Sequence, residues 1–181
     1  MVHSNTQRMI DYWRSQGGFR GLPVRSAINP ADFSTLMTQT FMLGRVASGV
    51  YPIRLVGGLV ADLHKRDLRG QNMLDLIGER DRFNLHTALE TARRRPEPMV
   101  VEMEGKTNGA SLMLAVLFAP IAGAPGSPER FLGLYQPLSL VAKLGDMPIR
   151  QLAVRSIQGV GPANEETHRL KLATLDGRRV A

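Results

Sequence analysis

The sequence predicts an α+β fold: a five-stranded antiparallel sheet with helices on one face, plus a helix at the N-terminus. Three observations predict it. Two strand-like segments precede a helical middle and three more follow it, and that segregation marks α+β architecture. The last three are joined by short turns containing glycine, so they read as antiparallel hairpins. The middle one of these three is apolar on both faces. A strand with one wet face alternates, so something must cover the outer side of this sheet: a flanking helix or a second copy of the chain.

Each element has its own signature. Residues 5–16 read as a helix with Met9, Ile10 and Trp13 on one stripe, stopped by Gly17-Gly18. Asn29-Pro30 opens a short helix over Ala31–Met37. The first strand is expected at Thr40–Val46. The second, Val50–Val56, contains Pro52 and so belongs at an edge or a bulge. Short helical turns follow at Leu59–His64 and Asn72–Gly78. Asp81–Arg95 is the clearest helix, with Leu85, Ala88, Leu89 and Ala92 as its buried stripe; Arg93–Arg95 suit its negative pole and Pro96 ends it. Strands are expected at Met99–Glu104, Ser111–Ala119 and Arg130–Pro137. In the second of these, Leu112, Leu114, Val116 and Phe118 oppose Met113, Ala115 and Leu117. Arg150–Ile157 reads as one more helix or strand. Gly159–Pro162 reads as a linker, and the remainder as a mobile tail.

Composition narrows the function. The 181 residues hold no cysteine, which removes disulfide scaffolds, zinc–cysteine sites, iron–sulfur clusters and thiol nucleophiles. The net charge of +7 comes from 19 arginines and 4 lysines, spread along the chain. Five acids (Asp67, Asp75, Glu79, Asp81 and Glu90) are interleaved with the central group. Nucleic-acid binders concentrate such charge to neutralise consecutive phosphates; here it is diluted, and the reading is against nucleic acid. No apolar run spans a bilayer, and the polar start does not resemble a secretion signal, so a cytoplasmic protein is expected.

Some of these residues match a known pattern. Trp13, Leu22-Pro23-x-Arg25-x-x-Ile28-x-Pro30, Arg54-Leu55-Val56-Gly57 and Arg66-x-Leu68-x-Gly70 come in order. Leu117-Phe118-Ala119-Pro120-Ile121 and Arg130-Phe131-Leu132-Gly133 follow. Over roughly residues 10–140 the sequence resembles a PAS-like family that occurs as stand-alone domains in alphaproteobacteria. It departs from that pattern at Lys65, where glycine is expected, at Gly58, where threonine is common, and at Gly44, where an acid is common. The resemblance implies a PAS-like domain at 31–144, preceded by a helix and extension at 1–30 and followed by a partly disordered extension at 145–181. It also implies use in sensing or protein contact.

Candidate sites follow. Leu55, Leu63, Met73, Leu76, Leu89, Met103, Leu114, Val116 and Leu134 are expected to face the interior and to line any apolar ligand pocket. Met113, Ala115 and Leu117, with Met9, Ile10 and Trp13, are the expected self-association surface. Neither His64, read as a surface or capping residue, nor the other histidines have metal-ligand spacing. His86 lies on the helix that supplies the iron ligand in haem PAS proteins, but beside the apolar stripe rather than on it, so no metal or cofactor is assigned. Flavin photochemistry through a cysteine adduct has no cysteine to use. No catalytic residue is assigned: Asp62-x-His64 lacks a nucleophile, and Glu102 and Glu104 share a polar face. The expectation is a signalling adaptor without its own effector, a homodimer docking on a partner such as a sensor histidine kinase. The alternative is a small-molecule sensor, and a more distant one a nucleic-acid binder.

Overall fold

Met9, Ile10 and Trp13 repeat at helical spacing, and they are the apolar residues that the first helix, α1 (Ser4–Ser15), buries, together with Thr6. The computed structural model describes residues 1–17, 21–125 and 129–161, and the backbone of Arg169–Leu170. After α1, Asn29 caps a 3-10 segment, Pro30–Gln39, with proline in the first turn where its missing N–H costs nothing. The strands β1 (Thr40–Gly44) and β2 (Ile53–Val56) follow. The helices α2 (Gly58–His64) and α3 (Glu79–Arg94) flank a 3-10 turn at Met73–Leu76. A meander of β3 (Met99–Lys106), β4 (Ser111–Ile121) and β5 (Arg130–Pro137) comes next. A 3-10 turn at Val141–Leu144 leads to β6 (Gln151–Gly159) and the two-residue β7 (Arg169–Leu170).

All pairings are antiparallel, in the order β2-β1-β5-β4-β3-β6-β7. The five expected strands form the continuous block β2-β1-β5-β4-β3. The segment left open between helix and strand is a strand, β6, which extends the sheet beyond β3 along Met99–Lys106. The second strand is shorter than expected: Pro52 makes only an isolated bridge to Asn72, and ladder pairing starts at Ile53. The tail expected to be mobile lies outside the described residues apart from β7. No helix among the described residues is long and apolar enough to cross a membrane.

The sheet carries a core on each face. The inner core holds Phe41 and Leu43 of β1, Leu112, Leu114, Val116 and Phe118 of β4, and Phe131 and Tyr135 of β5, under α2 and α3. The outer core holds the opposite parity: Met42, Ala115, Leu117, Ala119, Leu132 and Leu134, under α1 and the Pro30–Gln39 segment. Trp13 fixes α1 there, its Nε1 donating to the Pro120 carbonyl at 2.7 Å. Asn5 adds a side-chain bond to Gln136 of β5.

The residues expected to form a self-association surface lie on this covered outer face. Met9, Ile10, Trp13, Ala115 and Leu117 are all buried, and they pack in one cluster inside a single chain; Met113 is half-buried. The apolar outer face of β4 is covered by the chain's own helix, which satisfies the same hydrophobic demand as a second copy would.

Candidate functional site

The inner face of the sheet is packed with aromatic rings. Phe41 of β1 meets Phe118 of β4 and Tyr135 of β5 edge to face, with ring centroids 5.6 and 5.3 Å apart. Gly133 makes this possible: a Cβ there would overlap the tip of the Phe41 ring, so only glycine lets the ring lie against β5. Tyr51 stands edge-on to Phe131 on the other side of the same space.

Of the nine interior candidates, Leu63, Met73, Leu76, Leu89, Met103, Leu114 and Val116 belong to the inner core. Leu55 and Leu134 do not. Leu134 lies opposite Leu117 in the ladder and Leu55 opposite Met42, and both pack in the outer core. On β5 the inward parity is Phe131, Gly133, Tyr135.

Two polar groups sit in or beside this apolar interior. His64, the last residue of α2, is buried rather than at the surface, 2% exposed. Its Nε2 is 3.5 Å from the Tyr135 hydroxyl, and its Nδ1 is buried without a hydrogen-bond partner. Burial holds the imidazole pKa down to about 4; Arg66 deepens the depression and the Ile149 backbone opposes it. Desolvation raises the pKa of the Tyr135 phenol well above its ordinary value. The pair is therefore neutral at pH 7. Asp62, two residues before His64, is exposed, so the Asp62-x-His64 spacing assembles nothing.

The second group is Glu90 of α3, 6% exposed. It accepts from Arg45 Nε at 2.8 Å, from the Tyr51 hydroxyl at 2.6 Å and from Arg93 at 3.1 Å, while Arg93 also reaches Glu129. The Arg45 guanidinium is the main reason its carboxyl is lowered to about 2, with Tyr51 and Arg93 adding to it against the cost of burial. The pKa of Tyr51 is raised, first by burial and then by the carboxylate it donates to. This network ties α3 to the ends of β1 and β5. Arg93, one of the three consecutive arginines, is thus engaged within the fold.

His86 is half-buried, with Ser48 Oγ 3.1 Å from its Nε2 and its ring against Tyr51. Glu102 is exposed, and Glu104 pairs with Arg155 of β6. Among the described residues no group of three or more His, Asp or Glu side chains could hold a metal ion. Beyond α2 the chain turns at Lys65, whose φ of 48° is left-handed and the one positive φ of a non-glycine among the described residues. That turn and Arg66–Arg69 border an open surface cleft of about 480 Å³, with Asp62 and Asp67 beside the cations.

A family model described as PAS domain matches residues 1–136, and the chain belongs to this family. Similar solved structures are LOV proteins. The Rhodobacter sphaeroides LOV protein is 13% identical with a TM-score of 0.46, covering 65% of this chain and 72% of its own. A fungal LOV domain photoreceptor is 15% identical at 0.46, covering 63% and 94%. The Aureochrome1 LOV domain in its dark structure is 13% identical at 0.45, covering 59% and 80%. No curated protein matches. Membership of the PAS family makes the chain a sensory or signalling module.

Proposed function

We propose that the chain is a signalling adaptor whose output is contact with another protein, of the kind a sensor kinase would provide. The observation that carries this reading is the interior: Phe41, Phe118, Phe131, Tyr51 and Tyr135 are fully buried and interlocked where a PAS ligand would lie. Close-packed cores resist opening for a ligand. What such a domain still offers to a signal is its surface. Homodimerisation through the outer face would proceed by exchange of α1 between copies, because α1 fills that face within one chain. The test is to purify the full chain from its own cells after photo-crosslinking. Specific covalent capture of a protein supports the reading, and a stoichiometric small molecule retained in native mass spectrometry overturns it.

One observation favours a second reading, a small-molecule sensor. His64 Nδ1 is buried without a partner beside Tyr135, and an unpaired buried polar atom is costly. A small polar ligand reaching that nitrogen would remove the cost. It would raise the melting temperature of the wild type and leave a His64→Leu variant unchanged.

A further inference from the structure

We infer that the solvent face of α3 is the docking surface, and that it takes an acidic amphipathic segment of a partner protein. The inference rests on the adaptor reading above and says where and with what the contact is made. Phe83 is 75% exposed, a large aromatic in water near the start of the longest helix. Helical spacing puts Arg80, Phe83, Thr87 and Arg94 on one stripe, ~21 Å long at ~1.5 Å per residue. The hydrogen bond between Ser48 and His86, one turn from Phe83, brings the β1–β2 turn alongside. That turn carries Val46, 63% exposed, and Val50, 41% exposed. The apolar side chains thus come from two elements that are tied together.

Charge decides the occupant. Arg80, Arg94 and Arg95 are exposed, and none of them pairs with a carboxylate among the described residues. This contrasts with Arg93, which faces inward to Glu90 and Glu129. A second copy presenting the same stripe would set arginine against arginine, and like charges in contact repel. Nucleic acid would satisfy the arginines but would leave Val46 and Val50 against polar backbone. A segment carrying both carboxylates and apolar side chains satisfies both halves of the surface, with Phe83 as the aromatic anchor.

The experiment uses the full chain and three fluorescent probes: an acidic amphipathic peptide of about 15 residues, enough to follow the stripe at ~1.5 Å per residue, a basic peptide of the same apolar pattern, and a single-stranded oligonucleotide. The acidic peptide is expected to bind tightest, with affinity that falls as salt rises. Phe83→Ala should weaken it about tenfold, as truncating an anchor does, and Arg80→Gln with Arg94→Gln should flatten the salt response. Equal affinity in Phe83→Ala, preference for the oligonucleotide, or no binding of the acidic peptide would overturn the inference. Photo-crosslinkers at position 83 and at exposed Leu140 separate the two claims. Protein capture from position 140 alone sinks this surface and leaves the adaptor reading standing; capture from neither sinks both.

Discussion

Phe41 and Gly133 face each other across neighbouring strands, and the ring of one occupies the space where any other residue would carry its Cβ. The contact joins β1 to β5 at the centre of the inner core and aims Phe41 at Phe118 and Tyr135. Gly133→Ala therefore forces the ring out of a packed site. A loss of about 1–3 kcal/mol is expected, the usual cost of overpacking. Phe41→Leu in the Gly133→Ala background should recover part of it. Denaturant titrations of the four proteins in that cycle measure the coupling; additive losses would show that the two residues are not in contact.

Glu90 holds Arg45, Arg93 and Tyr51 at once, so removing it leaves three buried or half-buried donors without their acceptor. Glu90→Ala is expected to cost about 3 kcal/mol, the low end for breaking a buried ion pair by deleting one partner, because Arg45 and Arg93 are partly exposed. The acid limb follows from its lowered pKa. A carboxylate depressed in the folded state contributes stability above its ordinary pKa near 4.5, and loses that contribution as pH falls towards about 2. The wild type should lose stability over that window, and Glu90→Gln should show a shallower loss there in urea midpoints.

His64 acts in a different window and for the opposite reason. Folded, it resists protonation down to about pH 4; unfolded, it takes up a proton near 6.5. The unfolded state therefore binds more protons between those values, and stability is complete above about 6.5 and falls as pH drops towards 4. The expected loss is roughly 2–4 kcal/mol, at about 1.4 kcal/mol per pH unit. His64→Leu should level the melting temperature between pH 6.5 and 4.5. A variant as pH-sensitive as the wild type there would assign the effect to another group.

The outer face gives a prediction about association. Trp13 is buried and anchored to Pro120, so Trp13→Ala should cost about 3–5 kcal/mol. By loosening α1 it should also expose Ala115, Leu117 and Leu132, and so raise self-association above that of the wild type. Sedimentation velocity of both proteins reads this directly. An unchanged sedimentation coefficient in the variant would mean that α1 is not what keeps the face covered.

These contacts differ in how well the sequence announces them. The two apolar faces of β4 are plain in its residues, and they do demand a cover. Whether the cover is the chain's own helix or a neighbour cannot be read from β4, because either buries the same side chains. Leu134 faces the outer core instead of the interior; β5 is apolar at Phe131, Leu132, Leu134 and Tyr135, and period two separates the faces without saying which is inner. The glycine at 133, inside the strand and able to admit a ring, is the available signal. Glu90 reads only as one of five acids interleaved with the basic residues, because its partners Arg45 and Tyr51 are far away in sequence. Only its position next to Leu89, between Leu85 and Ala92, hinted at burial. His64 followed Leu63 at a helix end, where a capping role is the ordinary expectation; tertiary packing of Ile149 and Tyr135 closed over it.

Lys65 is legible as a departure, standing where the resemblance leads one to expect glycine, and its backbone conformation suits a glycine. It ends α2 in the left-handed conformation, with φ 48° and ψ 36°, and its N–H bonds the Ala61 carbonyl. A side chain in that conformation is strained by about 1 kcal/mol or more, and glycine is not. Its ion pair with Asp146 is between exposed groups and offsets little. Lys65→Gly is therefore expected to stabilise the chain by about 0.5–1 kcal/mol, once the extra freedom of glycine in the unfolded state is set against the relieved strain. Lys65→Ala keeps the strained backbone and loses the same charge, so it should bring no gain. Thermal melts of the two variants at matched pH distinguish backbone from charge: equal shifts would assign the effect to the lost ammonium, and a gain in glycine alone to the turn.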